Sequence, residues 1–195
     1  MAENYIPKIG ITLTEIAFRS AMFIALSTIS IISVQAKPLS TVENIELGHY
    51  LGIWYEVVRK PLYFQNKCER DVSAIYTLNE NGNVLVDNRC YGKEGQLYQS
   101  IGEAFIQNSP HNTKFRVSFL PEFVRWLPVG RGDYWILKID EDYQTVLVGE
   151  PQYKYMWILS RQPNPDPVVV NEYLNYAKSI GYDLSNIIHT KQTEK

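Results

Sequence analysis

Past Ala36 the chain is a succession of short runs in which apolar and polar residues alternate, broken by turn residues at intervals of roughly ten positions. Eight such runs begin at Ile53, Asp71, Asn83, Leu97, Lys114, Asp133, Gln144 and Tyr155. Between them stand NENG at 79–82, GKEG at 92–95, NSPHN at 108–112 and DEDY at 140–143, with Gly, Asn, Asp or Pro where tight turns need them. Short links between consecutive strands predict an up-and-down meander. After the last run the period changes. Asp166 is placed to cap a helix, Pro167 suits its first position, and Val169, Val170, Tyr173, Leu174, Ala177 and Ile180 share one face before Gly181 stops it. NIIHT, from Asn186, reads as a short closing strand. A meander of eight strands has two unpaired edges unless it closes on itself, and a closed barrel of this size has room for one small ligand. The expected fold is therefore all-β: an eight-stranded antiparallel up-and-down barrel with one C-terminal α-helix packed outside.

Composition fits this reading. Of 195 residues, 45% are hydrophobic and 21% charged, enough for one domain with a proper core. Aromatic residues make up 13%, including 14 Tyr, which favours strands and cavity walls. The net charge of −2 and the scattered Lys and Arg leave no basic face for a nucleic acid. Residues 1–36 stand apart: the uncharged apolar run at 21–34 follows Arg19 and ends in VQA before Lys37, which suits a signal peptide cut after Ala36. The run is short for a membrane span, and Glu3 and Glu15 are unusual ahead of it, so the alternatives to a genuine long N-terminal leader are an uncleaved anchor or a start placed too far upstream. The mature domain is taken as 37–195. Export bears on Cys68 and Cys90, which have no metal-ligand spacing; in an oxidising compartment such a pair is most simply a disulfide, worth roughly 3 kcal/mol by loop closure. Two buried thiols or one reactive thiol are the alternatives.

In a closed barrel with an even number of strands, the start of strand one lies beside the end of strand eight. Trp54 then meets Arg161. The indole can fill the closed end, Gly52 lets the preceding backbone approach, and the guanidinium can lie on the ring while its donors reach carbonyls. GIWYE at 52–56, IDEDY at 139–143 and WILSR at 157–161 resemble, in this order, three signatures of the lipocalin family. GDYWIL and YMWILSRQP narrow the likeness to the bacterial outer-membrane lipocalins, with plant temperature-induced lipocalin and apolipoprotein D. The resemblance spans about Leu47 to Thr190. It implies binding, and transport or storage, of a small hydrophobic molecule, and the branch implies a fatty acid or lysophospholipid in the bacterial cell envelope, in the periplasm or at the outer membrane. Bacterial members commonly carry a lipidated cysteine directly after the signal sequence; here the nearest is Cys68, so the likeness does not extend to that anchor.

Strand alternation offers two faces per strand, and the cost of burying an unpaired charge chooses between them. Lys138 shares a face with Tyr134 and Ile136, so Trp135 and Leu137 are expected inside. The same argument turns inward Phe115, Val117 and Phe119, then Val72, Ala74 and Tyr76, then Val84, Val86 and Asn88, then Tyr155 and Trp157. Trp54 inside brings Glu56 inside too, where an acid can hydrogen-bond a ligand head group or tyrosines. The segment 120–132 is too long and apolar for a hairpin turn: Phe123, Val124, Trp126, Leu127 and Val129 make it a lid over the cavity mouth, a membrane-docking element flanked by Arg125 and Arg131, or a homodimer contact. His49, His111 and His189 have no metal-ligand spacing or nucleophile partner, and no glycine-rich phosphate loop exists. Neither catalytic residues nor a cofactor or metal are expected. The alternatives to a lipid carrier are a thiol-dependent isomerase using Cys68 or Cys90 and an interaction module with a filled core.

Overall fold

The protein was studied as a computed structural model, which describes residues 38–193; the expected leader at 1–36 lies outside the described residues. A short helix α1 (Leu47–Tyr50) leads into strands β1 (Gly52–Arg59), β2 (Arg70–Leu78), β3 (Val84–Tyr91), β4 (Leu97–Ile106), β5 (Lys114–Ser118), β6 (Gly132–Ile139), β7 (Thr145–Gly149) and β8 (Met156–Ser160). Helix α2 (Pro167–Ser179) and a two-residue strand β9 (Ile188–His189) follow. Consecutive strands pair antiparallel, and β1 closes the barrel by pairing with both β2 and β8. The expected barrel with one external C-terminal helix is the observed architecture, with β9 added beside β1.

β1 divides itself between its neighbours. Its first half, from Gly52 to Tyr55, faces Tyr76 to Ser73 of β2, whereas Tyr55 to Arg59 pairs with Ser160 to Trp157 of β8. Where β2 leaves, β9 takes its place, with Val58 opposite His189 and Arg59 opposite Ile188. Register shifts in β1, β2 and β6 each insert an extra residue, and two of them decide where the site residues discussed below point. One lies in β1 between Glu56 and Val58, the other in β6 between Ile136 and Lys138. An extra residue in one strand turns everything beyond it to the other face.

Helix α2 forms as its sequence predicts: the Asp166 carboxylate accepts from the Val168 amide at 2.8 Å, and Pro167 occupies the first turn. Its apolar stripe, with Val170, Tyr173 and Ala177, covers Val58, Leu137, Leu147, Met156 and Ile158 on the outside of the barrel. A second cluster fills the barrel itself around Trp54, Tyr50, Tyr76, Phe115, Ile136 and Val148. Gly149 allows the two layers to meet: a side chain there would stand 2.0 Å from the Tyr182 hydroxyl, which accepts from the Glu150 amide and donates to its carbonyl.

Candidate functional site

The barrel is closed at one end and hollow at the other. At the closed end the Arg161 guanidinium lies 3.8 Å from the Trp54 ring centroid and donates to the carbonyls of Ile53, His49 and Leu51 at 2.6, 2.6 and 2.8 Å. The Trp54 indole N–H donates to Tyr50 O at 2.8 Å, and the indole is fully buried. Gly52 has φ +97°, and any side chain there would come within 3.4 Å of the guanidinium. A tryptophan at the very start of a strand thus plugs the floor, held by a cation whose donors are satisfied by backbone.

Above the floor is a cavity of about 950 Å³. Val72, Ala74, Tyr76, Val84, Val86, Asn88, Phe115, Val117, Phe119, Tyr155, Trp157 and Glu56 all border it. Trp135 and Leu137 do not. The β6 irregularity separates Ile136 from Lys138, so both Leu137 and Lys138 point out toward α2, where Lys138 pairs with Glu172 at 2.8 Å. Trp135 faces outward with Lys114 above its ring at 4.3 Å. The inward residues of β6 are Tyr134, which borders the cavity, and Ile136, which packs in the barrel interior. Lys138 stays out of the barrel as desolvation requires, but the extra residue at Leu137 breaks the alternation on which an inward Trp135 and Leu137 depended.

The β1 bulge has a complementary effect. In an unbroken strand Glu56 and Arg59 would point to opposite faces; here both are buried, and Arg59 Nε lies 3.1 Å from the Glu56 carboxylate. That carboxylate also accepts from Gln65 Nε2 at 2.7 Å and from the Thr190 hydroxyl. Burial raises its pKa above the ordinary 4.5, against the lowering pull of Thr190, Gln65 and Arg59.

The deep wall is tyrosine. Tyr50 Oη is 2.6 Å from Tyr134 Oη, which is 3.1 Å from Tyr76 Oη, and burial pushes all three phenols well above their ordinary pKa. Tyr134 also stacks on Trp157 with centroids 6.4 Å apart. Tyr50 escaped the sequence reading because it ends α1 rather than sitting in a strand, and Tyr134 because of the bulge.

The mouth lies where β1–β2, β3–β4, β5–β6 and β7–β8 connect. Cys68 and Cys90 are joined in a disulfide with Cα atoms 5.5 Å apart, tying the β1–β2 connection to β3 beside the cavity. Both of the chain's cysteines are in this bond, so thiol-dependent isomerisation has no free nucleophile. In the β5–β6 connection Phe123, Trp126 and Val129 are 79%, 71% and 60% exposed, while Val124 and Leu127 are partly covered. Its arginines hold the loop together instead of facing outward: Arg125 is buried and donates to the carbonyls of Leu120 and Ile101, and Arg131 donates to those of Arg125 and Trp126. Tyr63 and Phe64, in the β1–β2 connection, add exposed aromatic surface at the same end. Among the described residues no group of side chains has metal-binding geometry.

A plugged, hollow barrel with an apolar wall defines a binding protein for a small hydrophobic molecule. Comparison with known proteins gives it a family. The chain belongs to the lipocalins: the lipocalin-like domain matches residues 45–192. Temperature-induced lipocalin-1 of Arabidopsis thaliana is 36% identical over 163 residues, covering 82% of this chain and 86% of that protein. The outer membrane lipoprotein Blc of Escherichia coli K12 is 34% identical over 155 residues, 79% of this chain and 83% of Blc. Among solved structures, insecticyanin from the tobacco hornworm Manduca sexta superposes with a TM-score of 0.63 at 19% identity, covering 82% of this chain and 87% of that one, a likeness of fold.

Proposed function

We propose that the protein binds a single-chain lipid, a fatty acid or lysophospholipid, and carries or stores it in the bacterial cell envelope after export. The observation that supports this most directly is the cavity of about 950 Å³, apolar along β2, β3 and β5, with aromatic rings from Phe115 and Tyr134 to Trp157 and Tyr155 along its depth. An acyl chain buried there gains the transfer free energy of its methylenes, about 0.8 kcal/mol each. Lys67 and Lys154 border the mouth, above the rings of Tyr98 and Tyr155, and among the described residues neither has a carboxylate partner. They suit an anionic head group. The likeness to an outer membrane lipoprotein supports the envelope setting. The exposed aromatics around the mouth support contact with a membrane surface, from which a poorly soluble lipid is collected. The reading assigns no chemistry to the site: the protein is a carrier and not an enzyme.

Trp157 reports on the site directly, since it borders the cavity. Titration with a fatty acid or lysophospholipid is expected to change tryptophan fluorescence saturably, and native mass spectrometry of protein purified from its own host to show a bound lipid. A cavity indifferent to both lipids in both measurements would leave the filled-core module as the better account.

A further inference from the structure

The tyrosines at the deep end of the cavity pose a hydrogen-bonding problem that a plain hydrocarbon cannot solve. Tyr50 is 2% exposed and Tyr76 6%, and their hydroxyls meet that of Tyr134 at 2.6 and 3.1 Å. A phenol carries one donor hydrogen. Three hydroxyls joined by two hydrogen bonds use two donors; the third O–H has no acceptor among the described residues, however the protons are arranged. Loss of the proton does not relieve it, because burial holds all three phenols in their neutral form at physiological pH. A buried donor left facing hydrocarbon is costly, and a ligand that displaces water from such a donor without replacing its hydrogen bond loses affinity.

We propose that the deep end of the cavity recognises a neutral oxygen, a hydroxyl or carbonyl, on the end of the lipid that is inserted first. This rests on the lipid-binding reading and narrows its ligand class from simple acyl chains to oxygenated ones. Neutrality follows from the surroundings. Glu56 borders the same cavity, the phenols offer donors but no positive charge, and Arg161 lies against Trp54 with its donors committed to the carbonyls of Ile53, His49 and Leu51. A carboxylate is therefore better placed at the mouth. Depth fixes the reach: Tyr76 is paired with Val86, and Cys90 at the mouth lies further along the same strand by about 13 Å at the usual rise per residue. A medium-length chain spans that distance.

Dodecanoic acid and its ω-hydroxy counterpart differ by the one group in question. The intact protein is expected to bind ω-hydroxydodecanoic acid about fivefold more tightly than dodecanoic acid, by fluorescence titration or calorimetry. The triple variant Tyr50→Phe, Tyr76→Phe, Tyr134→Phe removes donors and acceptors together at nearly constant shape, so its preference is expected to reverse toward the plain acid. Should that variant fail to fold, Tyr134→Phe alone parts the other two hydroxyls, leaves both donors free, and is expected to keep or enlarge the preference for the hydroxy acid. Equal binding of the two acids by the intact protein, or tighter binding of the plain one, overturns the proposal and leaves lipid binding standing. Binding of neither acid overturns the proposal, and if a lysophospholipid also fails to bind, the lipid-binding reading falls with it.

Discussion

Glu56 shows how much a single residue depends on its local backbone. Buried alone, a carboxylate would be driven to its neutral form; beside Arg59, Gln65 and Thr190 it is partly compensated, and burial still prevails. Its pKa is raised in the folded protein, so between the ordinary 4.5 and that higher value the native state holds a proton that the unfolded chain has released. Stability from this group is present in full below 4.5 and is lost as pH rises through the folded value. Glu56→Gln removes the titration. Wild-type stability relative to that variant is expected to fall steadily from acid toward neutral pH, measured as urea midpoints across a pH series. A difference that stays constant with pH would show that Glu56 titrates as it does in the unfolded chain.

At the scale of elements, the segment after α2 closes a seam that the strands leave open. β1 and β2 part company after Tyr55 and Ser73, and Gln192 bridges the gap by donating to Glu56 O at 2.8 Å and Val72 O at 2.9 Å. Thr193 donates to Asp71 a little further on. Gln192→Ala strips two partly buried carbonyls of their donor and is expected to cost about 1–2 kcal/mol in denaturant unfolding. An unchanged midpoint would mean that water serves those carbonyls equally well. The NIIHT run reads as a short closing strand and its Ile188 and His189 do pair with β1, but no local pattern marks Gln192 and Thr193 beyond it as a bridge; the eight strands, their turns and α2 were legible because each rests on a local pattern: period two between turn residues, or a capped stripe of period near four. The same locality sets the limit. Phe115 and Trp157 border the cavity as alternation around them predicts, whereas Trp135 and Leu137, expected inside, face out because the extra residue in β6 is decided by pairing with β7, of which Lys138 and its neighbours carry no local clue. Likewise Tyr50 becomes a wall residue only when α1 folds under the barrel, a tertiary event.

For the whole molecule, the placement of apolar surface is asymmetric. Trp54 and Arg161 seal one end, and at the other Phe123, Trp126, Val129, Tyr63 and Phe64 stand exposed on two connections that flank the mouth. Such surface costs solubility unless it meets something, and the disulfide from Cys68 to Cys90 holds the β1–β2 connection beside the cavity to receive it. Arg125 and Arg131 donate to carbonyls of the β5–β6 loop and, through Ile101, of β4, so they shape the loop's tip, and in the proposed membrane contact attraction would fall to the exposed aromatics and to Lys67 and Lys154. A pair of large side chains moved from water into the interfacial region contributes on the order of 3–5 kcal/mol. The double substitution Phe123→Ser, Trp126→Ser is therefore expected to reduce co-flotation with anionic phosphatidylglycerol vesicles by at least tenfold, while affinity for a soluble short-chain lipid stays within about twofold. The two readouts separate the three roles of this loop. A lid would lose soluble lipid and float as before. A dimer contact would leave flotation and lipid binding alone and change the sedimentation coefficient. Only a docking element loses the vesicles and keeps the ligand, because its exposed side chains touch the bilayer and not the cavity.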